Sequence, residues 1–169
     1  MCLTRMCTMY DLFYTKQGWI GIVASAKGIK KLILASSRQA VLREFPGFIN
    51  TARYDHLQLA YIRATIQEYC RCGVMDLSHI PLDYCDTSKV FQKIWDICRS
   101  IPIGETRSYG WIAKKLGIPR AYRLVGQAMA RNPFVLLVPC HRVVSANGGL
   151  GGYQAGLEMK QRLLQLERR

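Results

Sequence analysis

SYGWIAKKLGIPRAYRLVGQAMARN, from Ser108 to Asn132, is the stretch on which the reading of the fold turns. It divides into SYGWIAKKLG and IPRAYRLVGQAMARN, two short helices joined by a tight turn at Gly117-Ile118-Pro119. Ser108 is the N-cap of the first, because its hydroxyl accepts from an N–H that the first turn leaves unpaired. Pro119 suits the first turn of the second, where its missing N–H costs nothing. The tight turn and the helix lengths resemble a helix-turn-helix. A purely structural helical hairpin has the same pattern, so the flanking residues have to separate the two readings.

Upstream, KVFQKIWDICRS predicts an amphipathic helix capped by Thr87 or Ser88 and broken by IPIG. Cys98 shares its apolar stripe with Ile94 and reads as core filling. Downstream, NPFVLLVP predicts a buried strand or extended segment leading into Cys140. GLEMKQRLLQLERR closes the chain as an amphipathic helix with Leu157, Leu163, Leu164 and Leu166 on its apolar side. In the first half, DLFYT, WIGIVASA and IKKLILAS are β-rich runs separated by KQG and AKG, which predicts a three-stranded antiparallel meander. RQAVLREF follows as a helix, with Ser36 or Ser37 as cap and Pro46-Gly47 as stop. HLQLAYIRATIQEYCRC has Leu59, Ile62, Ile66 and Tyr69 at helical spacing, Asp55 as candidate cap and Gly73 at its end. The stretch from Val74 to Thr87 contains Pro81 and reads as an edge strand or linker. The domain boundary falls there, giving domains 1–86 and 87–169.

Half of the 169 residues are hydrophobic and 21% are charged, a composition that supports a packed chain over a disordered one. The longest apolar runs are too short to span a bilayer, and the amino terminus has no long apolar signal core, so a cytoplasmic protein is expected. Ten Lys/Arg stand against seven Asp/Glu up to Ser88, and fourteen against four from Lys89 onward, so the second half carries most of the net +13. Such a basic half suits a polyanion, with nucleic acid the first candidate, and also suits a merely soluble basic surface. Seven cysteines without a secretion signal favour free thiols. Cys70-Arg71-Cys72 lacks the spacing of a zinc knuckle, Cys2 and Cys7 have no second pair nearby, and His56 and His79 are isolated, so no metal site is expected.

VPCHRVVSANGGLGGY, Val138–Tyr153, places a thiol between a proline and His141-Arg142, with a glycine-rich loop after it. Cys140 reads either as a small apolar residue or as a nucleophile. A His- and Arg-bearing neighbourhood lowers a thiol pKa, as a nucleophile requires. Residues 140 and 141 on a strand would point to opposite faces, so proton transfer between them needs a turn or a bridging water.

The run Pro139-Cys140-His141-Arg142-Val143 resembles the active-site signature of the O6-alkylguanine-DNA alkyltransferase family. The resemblance extends from FQKIWDICRSIPIGETRSYG through the helix-turn-helix to LLQLE, with Asn132-Pro133 at the family's distance before the cysteine. The first half resembles the family only loosely, through its strand and helix order. The resemblance implies an α/β (α+β) chain: an amino-terminal α/β roll of ribonuclease-H-like type and a carboxy-terminal helix-turn-helix domain of winged-helix-like type. It implies that Cys140 is the alkyl acceptor, His141 its water-linked base and Glu167 the carboxylate orienting that histidine. Arg123 would enter the base stack in place of an extruded nucleotide, and Tyr109 would press on its phosphate. Tyr153 would donate near the guanine O6, the Val143 carbonyl would read the exocyclic amine, and Asn132 would tie the helix-turn-helix to the active-site segment. Ala121 and Gly126, with Ala128 and Ala130, would let the second helix lie close to the minor groove. Tyr122, Leu124 and Gln127 are bulkier than the family pattern.

The implied activity is a stoichiometric, irreversible transfer from O6 of guanine, and O4 of thymine, in double-stranded DNA to Cys140. It needs no cofactor and is carried out by a monomer in the cytoplasm at the nucleoid, or in the nucleus of a eukaryote. The rival readings are a sensor that binds alkylated DNA without repairing it, and a Cys-His hydrolase with no need of DNA.

Overall fold

The computed structural model describes residues 8–45, 51–84 and 87–168. Pro46-Gly47, Cys2 and Cys7 lie outside them. The first three strands, β1 (Met9–Thr15), β2 (Gly18–Ser25) and β3 (Gly28–Ala35), form the expected antiparallel meander. Two-residue turns, Lys16-Gln17 and Ala26-Lys27, join them. In β1 the side chains alternate, with Asp11, Phe13 and Thr15 buried. Central β2 is buried on both faces from Ile20 to Ser25, so it reads as a continuous apolar run.

Helix α1 (Arg38–Arg43) starts at Ser37, whose hydroxyl accepts from Ala40 N, and packs Val41 against one face of the sheet with Val23, Ile33 and Phe45. The sheet has four strands, not the three expected. Strand β4 (Arg53–Tyr54) adds parallel to β1, in the order β3-β2-β1-β4. Two residues carry no alternation, so the sequence held no sign of it.

Helix α2 (Ala60–Cys72) covers the other face with Thr65, Ile66, Tyr69 and Cys70. Asp55 caps the turn before it by accepting from Gln58 N, and Leu59 precedes the helix as a buried residue. Gly73 ends α2 at φ 75°, and a Cβ there would sit 2.3 Å from the Leu166 carbonyl oxygen. That approach pins the end of α2 against the end of the last helix. Residues 81–83 run beside β3, with Asp83 N donating to the Ile29 carbonyl.

In the second half, Ser88 caps α3 (Lys89–Arg99), which buries Ile94, Trp95 and Cys98. Strand β5 (Arg107–Ser108) leads into α4 (Tyr109–Lys115), capped by Ser108 through Trp111 N. Ile118 N bonds to the Ala113 carbonyl and Gly117 N to that of Lys114, a Schellman closure that sets the helix-turn-helix angle. Helix α5 (Tyr122–Ala130) begins later than expected. Pro119 lies ahead of its Ala121 cap, in a turn closed by Ala121 N on the Ile118 carbonyl. Trp95 Nε1 donates to the Ala128 carbonyl and ties α3 to α5.

Residues 134–140 are all buried, as expected, but do not form a straight strand. Leu32 and Val135 pair the segment to β3, and the chain then turns back at Leu136, which adopts φ 71°. Strand β6 (Val143–Val144) pairs parallel to β5, and α6 (Leu157–Glu167) returns along the site. Leu157 is exposed, whereas Met159, Lys160, Leu163, Leu164, Leu166 and Glu167 are buried. A continuous set of buried residues from Phe13 to Leu163 joins both halves. No helix among the described residues is long and apolar enough to cross a membrane.

Candidate active site

Cys140, His141 and Arg142 form a single 3-10 turn between the buried segment and β6. The turn removes the strand geometry that would have pointed Cys140 and His141 apart. The thiol is 4% exposed, and its Sγ accepts from Asn132 Nδ2 at 3.2 Å. Asn132 also donates to the Val138 carbonyl at 3.0 Å and accepts from Phe134 N at 2.9 Å. It thus joins the end of α5 to the approach to Cys140.

The thiol lines a cavity of about 330 Å³ with Tyr109, Gly126, Met129, Ala130, Gly152, Tyr153 and Gln154. That volume falls in the usual range of small-molecule sites. A larger cavity of about 480 Å³, between β3 and the start of α6, is lined by no cysteine or histidine.

Behind the thiol lies a charged relay. His141 Nε2 is 2.9 Å from Glu167 Oε1. Arg142 donates to the same carboxylate through Nε and Nη2, at 3.0 Å to Oε2 and 2.8 Å to Oε1, and through Nη1 to the Ile101 carbonyl at 2.6 Å. Tyr69, from α2, donates to Glu167 Oε1 at 2.5 Å. Burial pushes the Glu167 carboxyl up, but the hydrogen bonds from His141 and Arg142 and their charge override it and hold it down at about 2. Burial lowers the His141 pKa and keeps the ring neutral near pH 7, the form a base requires. Its Nδ1 is buried without a hydrogen-bond partner among the described residues, as is the Tyr153 hydroxyl. The two rings meet edge to face at 6.3 Å. Burial, with Cys140, Tyr69 and Glu167 close by, pushes the Tyr153 phenol well above its ordinary value, so it stays a proton donor.

The thiol itself departs from the expectation. Burial raises the Cys140 pKa, and the Asn132 hydrogen bond offsets this only in part. The Arg142 charge, expected to lower it, is committed to Glu167. The resting pair is therefore a thiol and a neutral imidazole, and ionisation has to accompany the reaction.

Lys160 is fully buried, and its Nζ donates to the carbonyls of Val143 at 2.5 Å, of Gly152 at 3.4 Å, and of Leu150. One ammonium thus clamps both ends of the glycine-rich loop, and burial lowers its pKa to about 8. The Val143 carbonyl, expected to face an exocyclic amine, already accepts one hydrogen bond. Tyr109 is half-buried with its hydroxyl against Gly151, where an added Cβ would lie 2.7 Å from Oη. Arg123 and its helix neighbours project outward: Arg123 is exposed, and an added Cβ at Gly126 meets nothing within 4 Å.

Cys140, His141, Glu167, Tyr153, Asn132, Tyr109, Gly126 and Val143 thus come together, while Arg123 and Ala121 do not line the cavity. Sequence reasoning missed Tyr69 and Lys160. Lys160 lies three and four residues before Leu163 and Leu164, inside an apolar stripe, and that was its signal. Tyr69 was read as core, although a buried tyrosine hydroxyl requires a partner. Among the described residues no group of three His, Cys, Asp or Glu is placed to hold a metal.

A buried cysteine with a histidine–carboxylate relay, under an exposed helix-turn-helix, defines a thiol-nucleophile site on a nucleic-acid-binding scaffold. Residues 89–169 match the family model described as the 6-O-methylguanine DNA methyltransferase, DNA binding domain. The inducible methylated-DNA--protein-cysteine methyltransferase of Bacillus subtilis is 34% identical over 98% of this chain and 94% of its own. The Methanosarcina acetivorans methylated-DNA--protein-cysteine methyltransferase is 56% identical over 46% of this chain, a match spanning 50% of its own length. The crystal structure of Mycobacterium tuberculosis OGT in complex with DNA superposes at a TM-score of 0.78, with 30% identity, covering 95% of this chain and 92% of that one. The chain belongs to the methylated-DNA--protein-cysteine methyltransferase family.

Proposed function

We propose that the protein repairs DNA directly, moving a methyl or other alkyl group from O6 of guanine, or O4 of thymine, onto Cys140. The observation that carries this reading is the thiol at the wall of a cavity bounded by Tyr109, Gly126 and Tyr153, with the His141–Glu167 relay behind it. O6 of guanine is sealed inside a duplex, so the nucleotide has to be rotated out, at a few kcal/mol. Arg123 fills the gap in the stack, and Tyr109 acts on the phosphate of the rotated nucleotide. Helix α5 meets the minor groove through Ala121 and Gly126. Asn132 holds the thiol in register, and the second lone pair of the Val143 carbonyl takes the exocyclic amine.

In the reaction the S–C bond forms as the C–O6 bond breaks. The thiol proton passes through a water-linked path to His141 Nδ1, and the guanine leaves after accepting a proton from Tyr153. The thioether is not reversed, so one molecule acts once. The reaction draws on no cofactor, and a monomer acting where the DNA lies, at the nucleoid or in the nucleus, suffices.

Intact-mass measurement with excess duplex bearing one O6-methylguanine tests this. The expected gain is one methyl per protein, mapped to Cys140, and no more. Tight lesion binding with no gain in mass would favour a sensor. Repeated turnover of an ester without DNA would favour a hydrolase.

Gly126 gives a separate check. Glycine within a helix costs roughly 0.5–1 kcal/mol against alanine, and nothing in the fold occupies the space beside it. Gly126→Leu is therefore expected to keep or slightly raise thermal stability. Its lesion-duplex affinity, read by fluorescence anisotropy, is expected to drop at least tenfold, or about 1.4 kcal/mol. Unchanged affinity would take this face of α5 off the DNA.

A further inference from the structure

We infer that Tyr69, carried by the amino-terminal half, is a positioning residue of the relay: its hydroxyl holds the Glu167 carboxylate in line with His141 Nε2, so that this nitrogen keeps the proton. The inference rests on the alkyl-transfer reading for its consequence, but not for its geometry. His141 Nε2 faces two oxygens, Glu167 Oε1 at 2.9 Å and Tyr69 Oη at 3.3 Å. A phenol has one proton, and the Tyr69 proton is committed to Glu167 Oε1 at 2.5 Å. What Tyr69 turns toward the ring is therefore a lone pair. Nε2 is met by acceptors alone, so it carries the hydrogen, and the basic lone pair is forced onto Nδ1. Nδ1 is the buried ring nitrogen with no partner among the described residues, and it is the one a base needs free.

The placement of Tyr69 is rigid. It is 1% exposed on the buried face of α2. One turn later Gly73 brings the α2 backbone against Leu166, the residue next to Glu167, closer than any Cβ would allow. Burial and the Glu167 charge raise the Tyr69 pKa well above its ordinary value, so the hydroxyl stays protonated wherever the site works. The half of the chain with little positive charge thus has a chemical task. It delivers one hydroxyl, 72 residues distant in sequence, to the back of the catalytic histidine.

The charged and titratable groups around His141 are Glu167 and Lys160 of α6, Tyr69 of α2, flanking Arg142 and Cys140, and Tyr153. Tyr69→Phe removes one donor from Glu167 and leaves the others in place. The carboxylate then attracts an imidazolium more strongly, the His141 pKa rises, and the acid limb of the single-turnover rate moves to higher pH. A carboxylate no longer anchored by Tyr69 is free to turn off the Nε2 line, which loosens the tautomer and lowers the plateau by less than the roughly 10²–10⁴-fold that the base itself contributes.

The experiment is the imidazole ¹⁵N spectrum of the wild-type protein, with His141→Gln identifying the resonance, followed by Tyr69→Phe. Wild type is expected to show Nε2 protonated and Nδ1 bare before any DNA is added. Tyr69→Phe is expected to show exchange between tautomers, with lesion-duplex affinity retained and the acid limb displaced. A wild-type ring protonated on Nδ1 would overturn the inference without any variant. So would a Tyr69→Phe protein with the wild-type tautomer and pH profile, even if its melting temperature fell. Failure of methyl transfer alone, with the Nε2–H tautomer present, would count against the repair reading and leave the assignment of Tyr69 intact.

Discussion

Cys140→Ser is expected to keep the fold and the affinity for an alkylated duplex, and to take up no alkyl group. The substitution shortens the side chain slightly at a position 4% exposed, and the serine hydroxyl accepts from Asn132 Nδ2 as the thiol does. A satisfied buried hydroxyl shifts stability by only about 1 kcal/mol. The chemistry is lost for a different reason. The resting thiol is already protonated, with a pKa raised by burial, and in the proposed mechanism the neutral His141 is its acceptor. An alcohol is far less acidic than a thiol, and its oxygen is a harder nucleophile toward an alkyl carbon, so the same base cannot generate the attacking anion. Intact mass reads the uptake, anisotropy the affinity and a thermal melt the fold. Alkylation of the serine variant would move the acceptor to another thiol, and Cys98, fully buried within electrostatic reach of Cys140, would be the first to map.

The parts of the structure that were legible in the sequence are those written in short-range pattern. The meander is marked by two glycine turns between alternating runs, and the helix starts by Ser37, Ser88 and Ser108. Cys140 and His141 were carried by the Pro139–Val143 run and Glu167 by LLQLE, through their resemblance to the family, and the structure places His141 and Glu167 at hydrogen-bond distance. What could not be read is long-range. Strand β4 exists only because β1 offers an edge to pair with. Tyr69 reaches Glu167 across 98 residues, and only packing decides that its hydroxyl meets a carboxylate rather than a backbone carbonyl. The direction of the Cys140 shift failed on the same account. Counting cationic neighbours along the chain says nothing of which charge is already neutralised, and Arg142 gives its charge to Glu167. Depth of burial then decides the sign.

Glu167→Gln is expected to damage stability and rate together, because one carboxylate serves three side-chain donors and the Gly104 N–H. Tyr69, His141 and Arg142 all point hydrogens at it. An amide offers one oxygen and an NH₂, so at least one donor is turned against another. If the NH₂ faces His141, it favours the ring with its proton on Nδ1, which blocks the base. In either orientation a guanidinium 8% exposed loses its counter-charge, and with the NH₂ toward Arg142 it keeps only the Ile101 carbonyl. Removing one partner of a buried ion pair costs about 3–5 kcal/mol. For a chain of this length that lowers the melting temperature by roughly 10 °C.

The wild-type protein carries a matching pH signature. Glu167 ionises near 4.5 when unfolded and at about 2 when folded. Its contribution, about 3 kcal/mol, is therefore complete above pH 4.5 and is lost as the pH falls toward 2. Denaturant titrations across that window are expected to show a slope in wild type that is much reduced in Glu167→Gln. Single-turnover methyl transfer is expected to slow by about 10²–10⁴-fold, the contribution of a positioned base. Glu167→Asp keeps the charge on a shorter stem and is expected to recover more of the stability than of the rate. The Arg142 pairing needs mainly the charge, whereas the His141 hydrogen bond needs the reach. An unaltered acid slope in Glu167→Gln would show that another carboxylate carries it, and an unaltered rate would remove Glu167 from the relay.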